Sequence, residues 1–287
     1  MRLSVVAAAM VVGAGVAFAY AVAGDLRTHA PPADAQAAGH SVLIPSDTPE
    51  PQPTTTPSTT TPPPPPDPIL PFNAKLTSDD IPAQGGGVRS GACSGSLIAP
   101  SWIVTAGHCF HNGRDVRVSG KPRYTMKVVI GKLKDSDPGG HTTMVVDVKQ
   151  SPFSDLAVAK LADPVTGITP LTLADAKPTI GQKLQFAGWG SLSATKLAPS
   201  DHLKRGEFTV AKISQYVLET SPVVPRTVEN SPCPQDSGAP FFVTDDERTG
   251  TLVAIVNTGP ACPQPGREIV ARIDTVADWI RQQTGIS

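Results

Sequence analysis

An all-β fold is the class this sequence predicts, and three observations carry the prediction. From Ala92 onward, short apolar stretches recur, each broken by Gly, Pro, Asp or Ser. No long helical period competes with them before the C-terminus. There, Val276, Trp279 and Ile280 fall at i, i+3 and i+4, one face of a closing helix. Recurring β-prone segments with turn residues between them read as an antiparallel barrel or sandwich.

The elements follow in order. Leu97-Ile98 and Trp102–Val104 are the first β-prone pair, with Pro100 and Ser101 as the break. Lys127–Ile130 and Val145–Val148 follow, separated by the Asp- and Gly-rich 135–140. Leu184–Trp189, Glu207–Val210 and Leu252–Val256 continue the series. Asp274 can cap the closing helix and Gly285 can end it, since glycine reaches the left-handed conformation a C-terminal cap needs.

Ahead of this region the chain changes character. Arg2 precedes an uncharged, Ala- and Val-rich run from Leu3 to Gly24. A basic start, an apolar stretch and small-residue sites at Ala17-Phe-Ala19 or Ala21-Val-Ala23 fit a signal peptide. The run is also about long enough to span a bilayer, so an uncleaved membrane tether through residues 3–24 is the alternative reading. Either way the remainder is expected outside the cell, secreted or anchored to the outer face of the membrane. Between Pro45 and Pro71, 12 of 27 residues are proline and seven are threonine. So little apolar surface cannot offset the entropy of ordering, and an extended stalk is expected, with a reach on the order of 80 Å. The organisation is therefore 1–24 leader or anchor, 25–74 stalk and 75–287 folded domain.

Charge narrows the partners. Residues 1–74 hold two basic and five acidic residues, leaving 22 and 20 for 75–287, close to neutrality. No basic patch or aromatic-interleaved basic stripe stands out, which argues against nucleic acid. Four cysteines suit an exported domain and allow three pairings that spacing cannot choose between. Cysteine and histidine never take zinc-ligand spacing, and neither a metal nor a cofactor is expected.

Three segments carry chemistry. A serine hydroxyl is a poor nucleophile, so it needs a histidine base, and the base needs a carboxylate to orient it. One candidate for each occurs, in the order His108, Asp155, Ser237. His108 lies in Ser94-Gly-Ser-Leu-Ile-Ala-Pro-Ser-Trp-Ile-Val-Thr-Ala-Gly-His-Cys109, Asp155 in Ser154-Asp-Leu-Ala-Val-Ala-Lys-Leu161, and Ser237 in Ser231-Pro-Cys-Pro-Gln-Asp-Ser-Gly-Ala-Pro240. His29 and His40 precede the stalk, and His111, His141 and His202 lack comparable flanks and read as surface residues. Together with Gly188-Trp-Gly190, these stretches resemble the chymotrypsin/trypsin-like serine peptidases over roughly residues 88–285.

That resemblance implies two six-stranded antiparallel β-barrels, over about 76–165 and 178–274, with the active site in the cleft between them. It implies the disulfides Cys93–Cys109 and Cys233–Cys262. It also implies an oxyanion hole from the backbone N–H groups of Gln235 and Ser237. Gln235 stands where the family has a glycine, Ala239 replaces a second glycine, and Gly107 replaces a more usual alanine. Ser231 matches the floor of the substrate pocket, Gly259 and Gly266 its walls, and Asn257-Thr-Gly259 the strand that pairs with substrate. A neutral, roomy pocket of that kind should take a large apolar side chain rather than Lys or Arg. Asp236 often pairs in the family with a newly cut N-terminus; no such cleavage sequence occurs here, so an unnamed internal cation is expected instead. The reading is an extracellular, monomeric serine endopeptidase acting on proteins or peptides. Its alternative is a secreted binding module that keeps the fold and has lost turnover.

Overall fold

The computed structural model describes residues 69–286 except 84 and 115. The leader-or-anchor and stalk readings for residues 1–68 lie outside the described residues. Among the described residues, thirteen strands, β1–β13, one 3-10 turn and one terminal α-helix, α1, make up the elements.

The first barrel comprises β1 (Asn73–Pro82), β2 (Val88–Ala99), β3 (Trp102–Thr105), β4 (Lys127–Ile130), β5 (His141–Gln150) and β6 (Ala157–Leu161). Its strands run β1-β2-β3-β6-β5-β4, and the antiparallel β1–β4 pairing closes it. Closure removes the exposed edges that would otherwise invite pairing with other chains. Leu76, Leu97, Ile103, Val128, Val148 and Val158 fill the interior and are fully buried. The packing begins before position 75: Leu70 and Phe72 are buried, and the Phe72 carbonyl accepts the Leu97 N–H at 2.8 Å.

After the short β7 (Thr172–Leu173), the second barrel comprises β8 (Lys183–Gly188), β9 (Lys204–Ile213), β10 (Val217–Pro222), β11 (Pro240–Val243), β12 (Thr251–Thr258) and β13 (Glu268–Arg272). They run β11-β8-β9-β10-β13-β12, and a β11–β12 pairing closes the ring, with β7 added in parallel to β12. Phe186, Phe208 and Phe241 meet in its core, the last two with ring centroids 5.0 Å apart in an edge-to-face arrangement. Such pairs contribute about 0.5–1.5 kcal/mol beyond the area they bury. The expected two six-stranded antiparallel barrels are thus the observed fold, and the Cys93–Cys109 and Cys233–Cys262 disulfides are both formed.

The closing helix α1 (Ala277–Thr284) buries Val276, Ala277 and Ile280, with Trp279 packed alongside. Gly285 caps its end at φ 73°, donating its N–H to the Arg281 carbonyl. Asp274 does not cap the start. Both its carboxylate oxygens are taken by the Arg272 guanidinium at 3.0 and 2.5 Å, and Val276 occupies the N-cap without a side-chain bond. Among the described residues, no helix is long and apolar enough to cross a membrane.

Candidate active site

β3 ends at Thr105, and a single 3-10 turn, Gly107–Cys109, carries His108 out of the first barrel. The Cys93–Cys109 disulfide ties that turn back to β2. Asp155 lies in the β5–β6 connection. Its Oδ2 is 2.6 Å from His108 Nδ1, and its Oδ1 accepts the His108 backbone N–H at 2.9 Å. Two bonds from one carboxylate fix both the ring and its peptide. A proton held on Nδ1 by the carboxylate leaves Nε2 as the basic nitrogen. Burial alone would raise the Asp155 carboxyl, but the bonds from the His108 ring and peptide, with the nearby Arg117 cation, outweigh it and lower the group. Arg117 also donates to the Ser154 carbonyl at 3.0 Å, and Asn257 Nδ2 reaches across from β12 to the Asp155 carbonyl at 2.8 Å. Glycine at 107 is explained by crowding: a Cβ there would fall 2.6–2.8 Å from Gln150 Oε1, Arg117 Nη1 and Asp155 Oδ1.

Ser237 sits in the β10–β11 connection, on a turn built from Cys233 to Ala239. Ser94, at the heart of β2, holds this turn from the first barrel. Its N–H donates to the Ser237 carbonyl at 2.9 Å, and its Oγ donates to the Gln235 carbonyl at 3.3 Å while accepting the Trp189 N–H at 2.9 Å. Gln235 adopts φ 75°, the left-handed conformation that glycine reaches more cheaply, so the glutamine backbone takes the conformation expected of the glycine it replaces. The N–H groups of Asp236, Gly238 and Ala239 donate to the carbonyls of Cys233, Val256 and Asp236. Among the described residues, no acceptor takes the N–H of Gln235 or Ser237.

Asp236 is completely buried between those two residues, and its cation is Lys204, the first residue of β9, which is equally buried. Asp236 Oδ1 accepts the Gly190 N–H at 2.7 Å and Oδ2 accepts the Cys233 N–H at 2.8 Å. Burial pushes the carboxyl up; the Lys204 ammonium, then the two N–H groups, pull against it. Lys204 also donates to the Ser231 carbonyl at 3.1 Å. The Gly188-Trp-Gly190 segment owes its glycines to this acid, because a Cβ at either would stand 2.1 Å from an Asp236 oxygen.

Two cavities open around Ser237. His108, Gln235 and Ser237 share one of about 300 Å³. A second, of about 220 Å³, lies beside Ser237 and is bordered by Val256, Asn257, Gly259, Cys262 and Glu268. Ser237 and His108 thus border one cavity, with the Asp155 carboxylate on the far side of the imidazole, an arrangement that could serve acyl transfer. The family model described as Trypsin matches residues 73–280.

The chain belongs to the trypsin family.

It is a serine-type endopeptidase, and protein or peptide substrates follow from that membership. Trypsin 5G1 of Aedes aegypti is 28% identical over 218 residues, covering 68% of this chain and 76% of the mosquito protein. Brachyurin of Leptuca pugilator is 26% identical over 211 residues, covering 68% and 88%. Transmembrane protease serine 11B of Homo sapiens is 27% identical over 219 residues, covering 68% of this chain but only 50% of the human protein. Among solved structures, that of neuropsin, described as a serine protease expressed in the limbic system of mouse brain, superposes with a TM-score of 0.57 at 20% identity. It covers 75% of this chain and 94% of neuropsin. At that identity the likeness speaks for the trypsin fold.

Within this trypsin-family site, the substrate residues expected from sequence divide. Asn257 and Gly259 border the cavity beside Ser237, whereas Ser231 and Gly266 do not. Ser231 is fully buried and donates its hydroxyl to the Thr227 carbonyl. Gly266 borders a separate proline-rich surface cavity with Pro222, Pro225 and Pro263. His111, expected at the surface, is buried; its Nδ1 lies 2.8 Å from the Asn112 carbonyl, and it borders the His108 cavity. Sequence reasoning missed Glu268, which borders the cavity beside Ser237, and Arg226, which pairs with it, and left Lys204 unnamed. A signal existed in β13, whose Glu268 shares the inward parity of Val270 while the apolar Ile269 faces out.

Proposed function

We propose that this protein is an extracellular endopeptidase that cleaves through an acyl-enzyme on Ser237. Ser237 attacks the peptide carbonyl while His108 Nε2 takes its proton and returns it to the leaving amine. Asp155 fixes the imidazole and stabilises its protonated form. The two N–H groups of Gln235 and Ser237 hold the developing oxyanion, and the loss of one such donor costs about 10²–10³ in turnover. The observation that carries this reading is the 2.6 Å His108 Nδ1–Asp155 Oδ2 contact beside a cavity that His108 shares with Ser237. Lys204 supplies the internal cation for Asp236, so the turn bearing Ser237 has its counter-charge without a newly cut N-terminus.

Export rests on the apolar run at residues 3–24, and monomeric behaviour is expected of a chain whose barrels are both closed. The apolar substrate preference expected from Ser231 gives way to a different one, because an acid, Glu268, borders the cavity.

Incubating the protein with a fluorophosphonate probe, followed by peptide mapping, tests the reading. The adduct is expected on Ser237 and is lost in Ser237→Ala, a variant that folds as the parent does and has no turnover. Absence of adduct from the folded parent would favour the binding-module alternative.

A further inference from the structure

Glu268 opens β13, and its side chain points inward with almost no exposure. Oε1 pairs with Arg226, itself buried, whose Nη2 also donates to the Pro232 carbonyl at 3.1 Å. Oε2 is directed along the cavity wall: a Cβ added to Gly259 would lie 1.9 Å from it. The glycine thus leaves the carboxylate room beside Ser237, in the cavity of about 220 Å³ that both border.

A substrate side chain entering that cavity meets this acid before anything else charged. An apolar group would offer Oε2 no donor and close off what access to solvent it has, which is costly for an ionised oxygen. A cationic group would supply a charge-assisted hydrogen bond. If the carboxyl takes a proton, the preference reverses, because the cavity wall then carries no negative charge.

We propose that Glu268 is the specificity-determining residue of this cavity, and that the Arg226–Glu268 pair makes substrate choice depend on pH. A cationic side chain is taken while the carboxylate is ionised, and an uncharged one once it is protonated. The inference rests on Ser237 being the nucleophile, since that is what makes the adjoining cavity the substrate's. Burial raises the Glu268 carboxyl to about 7 in spite of Arg226, with the buried Asp236 charge raising it further and Lys204 opposing. These groups face it from the 223–231 connection, from the Ser237 turn and from β9. β12 presents only the uncharged Asn257 and Thr258, and β10 meets it through Thr220. The neighbouring Arg267 is exposed and paired with Glu219.

The test compares kcat/KM for two peptide amides that differ only in the side chain before the scissile bond, Lys or Leu, from pH 5.5 to 8.5. The ratio of the two cancels the ionisation of His108, which both reactions share. Because kcat/KM reports groups of the free enzyme, the ratio should rise roughly a thousand-fold over those three pH units, as the ratio of ionised to protonated carboxyl does for a group near 7. Glu268→Gln, which keeps the shape and removes the charge, should flatten the profile. Should that variant fold poorly, Glu268→Leu with Arg226→Met removes both charges and should give the same flat profile with Leu preferred. Fluorophosphonate labelling of Ser237 in each protein separates the two ideas. Labelled parent enzyme with a Lys/Leu ratio that is flat with pH, or unchanged in the variants, overturns the specificity inference and leaves the nucleophile standing. Folded parent that does not label overturns the nucleophile reading and the inference with it.

Discussion

Lys204→Met is the substitution that asks most of this structure. Lys204 and Asp236 are both fully buried, and no other cation pairs with Asp236 among the described residues. Removing the ammonium leaves Asp236 with two hydrogen bonds, from Gly190 and Cys233, and no counter-charge. Breaking a buried pair from one side costs about 3–5 kcal/mol, because the surviving charge remains out of water. In a domain of this size that corresponds to a fall of roughly 10 °C in Tm. The effect must also depend on pH. Burial already raises the Asp236 carboxyl, and losing Lys204 raises it further. A group whose folded pKa is raised binds more protons folded than unfolded, so its cost to stability shrinks as pH falls. The deficit of Lys204→Met should therefore be largest near pH 8 and smaller near pH 5.

Urea denaturation of parent and variant at both pH values measures this directly, and adding Asp236→Asn should restore most of the loss. Because Asp236 lies between the two residues proposed as oxyanion donors, the single variant should also label with fluorophosphonate at least 10²-fold more slowly, measured well below its Tm. An equal loss at both pH values would point to packing alone and refute the electrostatic reasoning. Unchanged labelling would separate the ion pair from the Ser237 turn.

Two further substitutions or conditions read other parts of the site. Gln235→Gly removes a side chain from a residue at φ 75° whose buried Oε1 has no partner among the described residues. It should stabilise the protein by about 1 kcal/mol by chemical denaturation. Fluorophosphonate labelling should be retained, since the donor is the backbone N–H; loss of labelling would sink that assignment. With pH, Glu268 at about 7, against 4.5 for an ordinary glutamate, binds protons in the folded chain that the unfolded chain releases. Stability should accordingly rise by roughly 2 kcal/mol from pH 8 to pH 5.5. His202, raised by Glu229 and Asp201, acts in the same direction. Below about pH 4 the lowered Asp155 and Asp246 reverse the trend as they protonate. Glu268→Gln should remove most of the rise, and an undiminished rise would contradict the shift.

Where the chain was legible from sequence, the reason was local. His108, Asp155 and Ser237 each sit in a run whose neighbours repeat a family pattern; recurring β-prone segments marked an all-β fold, and the resemblance implied its division into two barrels. What escaped depended on contacts between distant segments. Nothing about a lysine opening a strand marks Lys204 as the partner of Asp236. The β8–β9 register does, by setting Lys204 opposite Gly188, beside the space that the two glycines leave for the acid. Arg226 lies in an irregular connection, and its role exists only because Glu268 faces inward from β13. Asp274 had the right residue type and position for a cap, but Arg272, two residues earlier, took both its oxygens. Gly107 is the converse case: a departure unexplained in sequence gains a reason once a Cβ there is seen to press on the side-chain tips of Arg117, Gln150 and Asp155.

The two internal ion pairs give the Ser237 turn a common logic. Lys204–Asp236 lies inside the turn and Arg226–Glu268 beside the cavity it borders, so each buried acid has its cation within the fold. In a site that waited for a cut N-terminus, the residues ahead of β1 would have to be free to travel to Asp236. Here the described ones, 69–72, are engaged elsewhere. The Leu70 N–H donates to the Glu247 carbonyl at 2.5 Å, and Phe72 packs edge-on against Phe242 of β11 with centroids 5.1 Å apart. Leu70 and Phe72 are both buried, and pulling either out would expose a core side chain at a cost of about 1.5–3 kcal/mol. With Lys204 in place Asp236 already has its counter-charge, and the described residues just ahead of β1 are held in the core. A turn assembled in this way is complete on folding, so the uncut protein is the form in which fluorophosphonate should find Ser237.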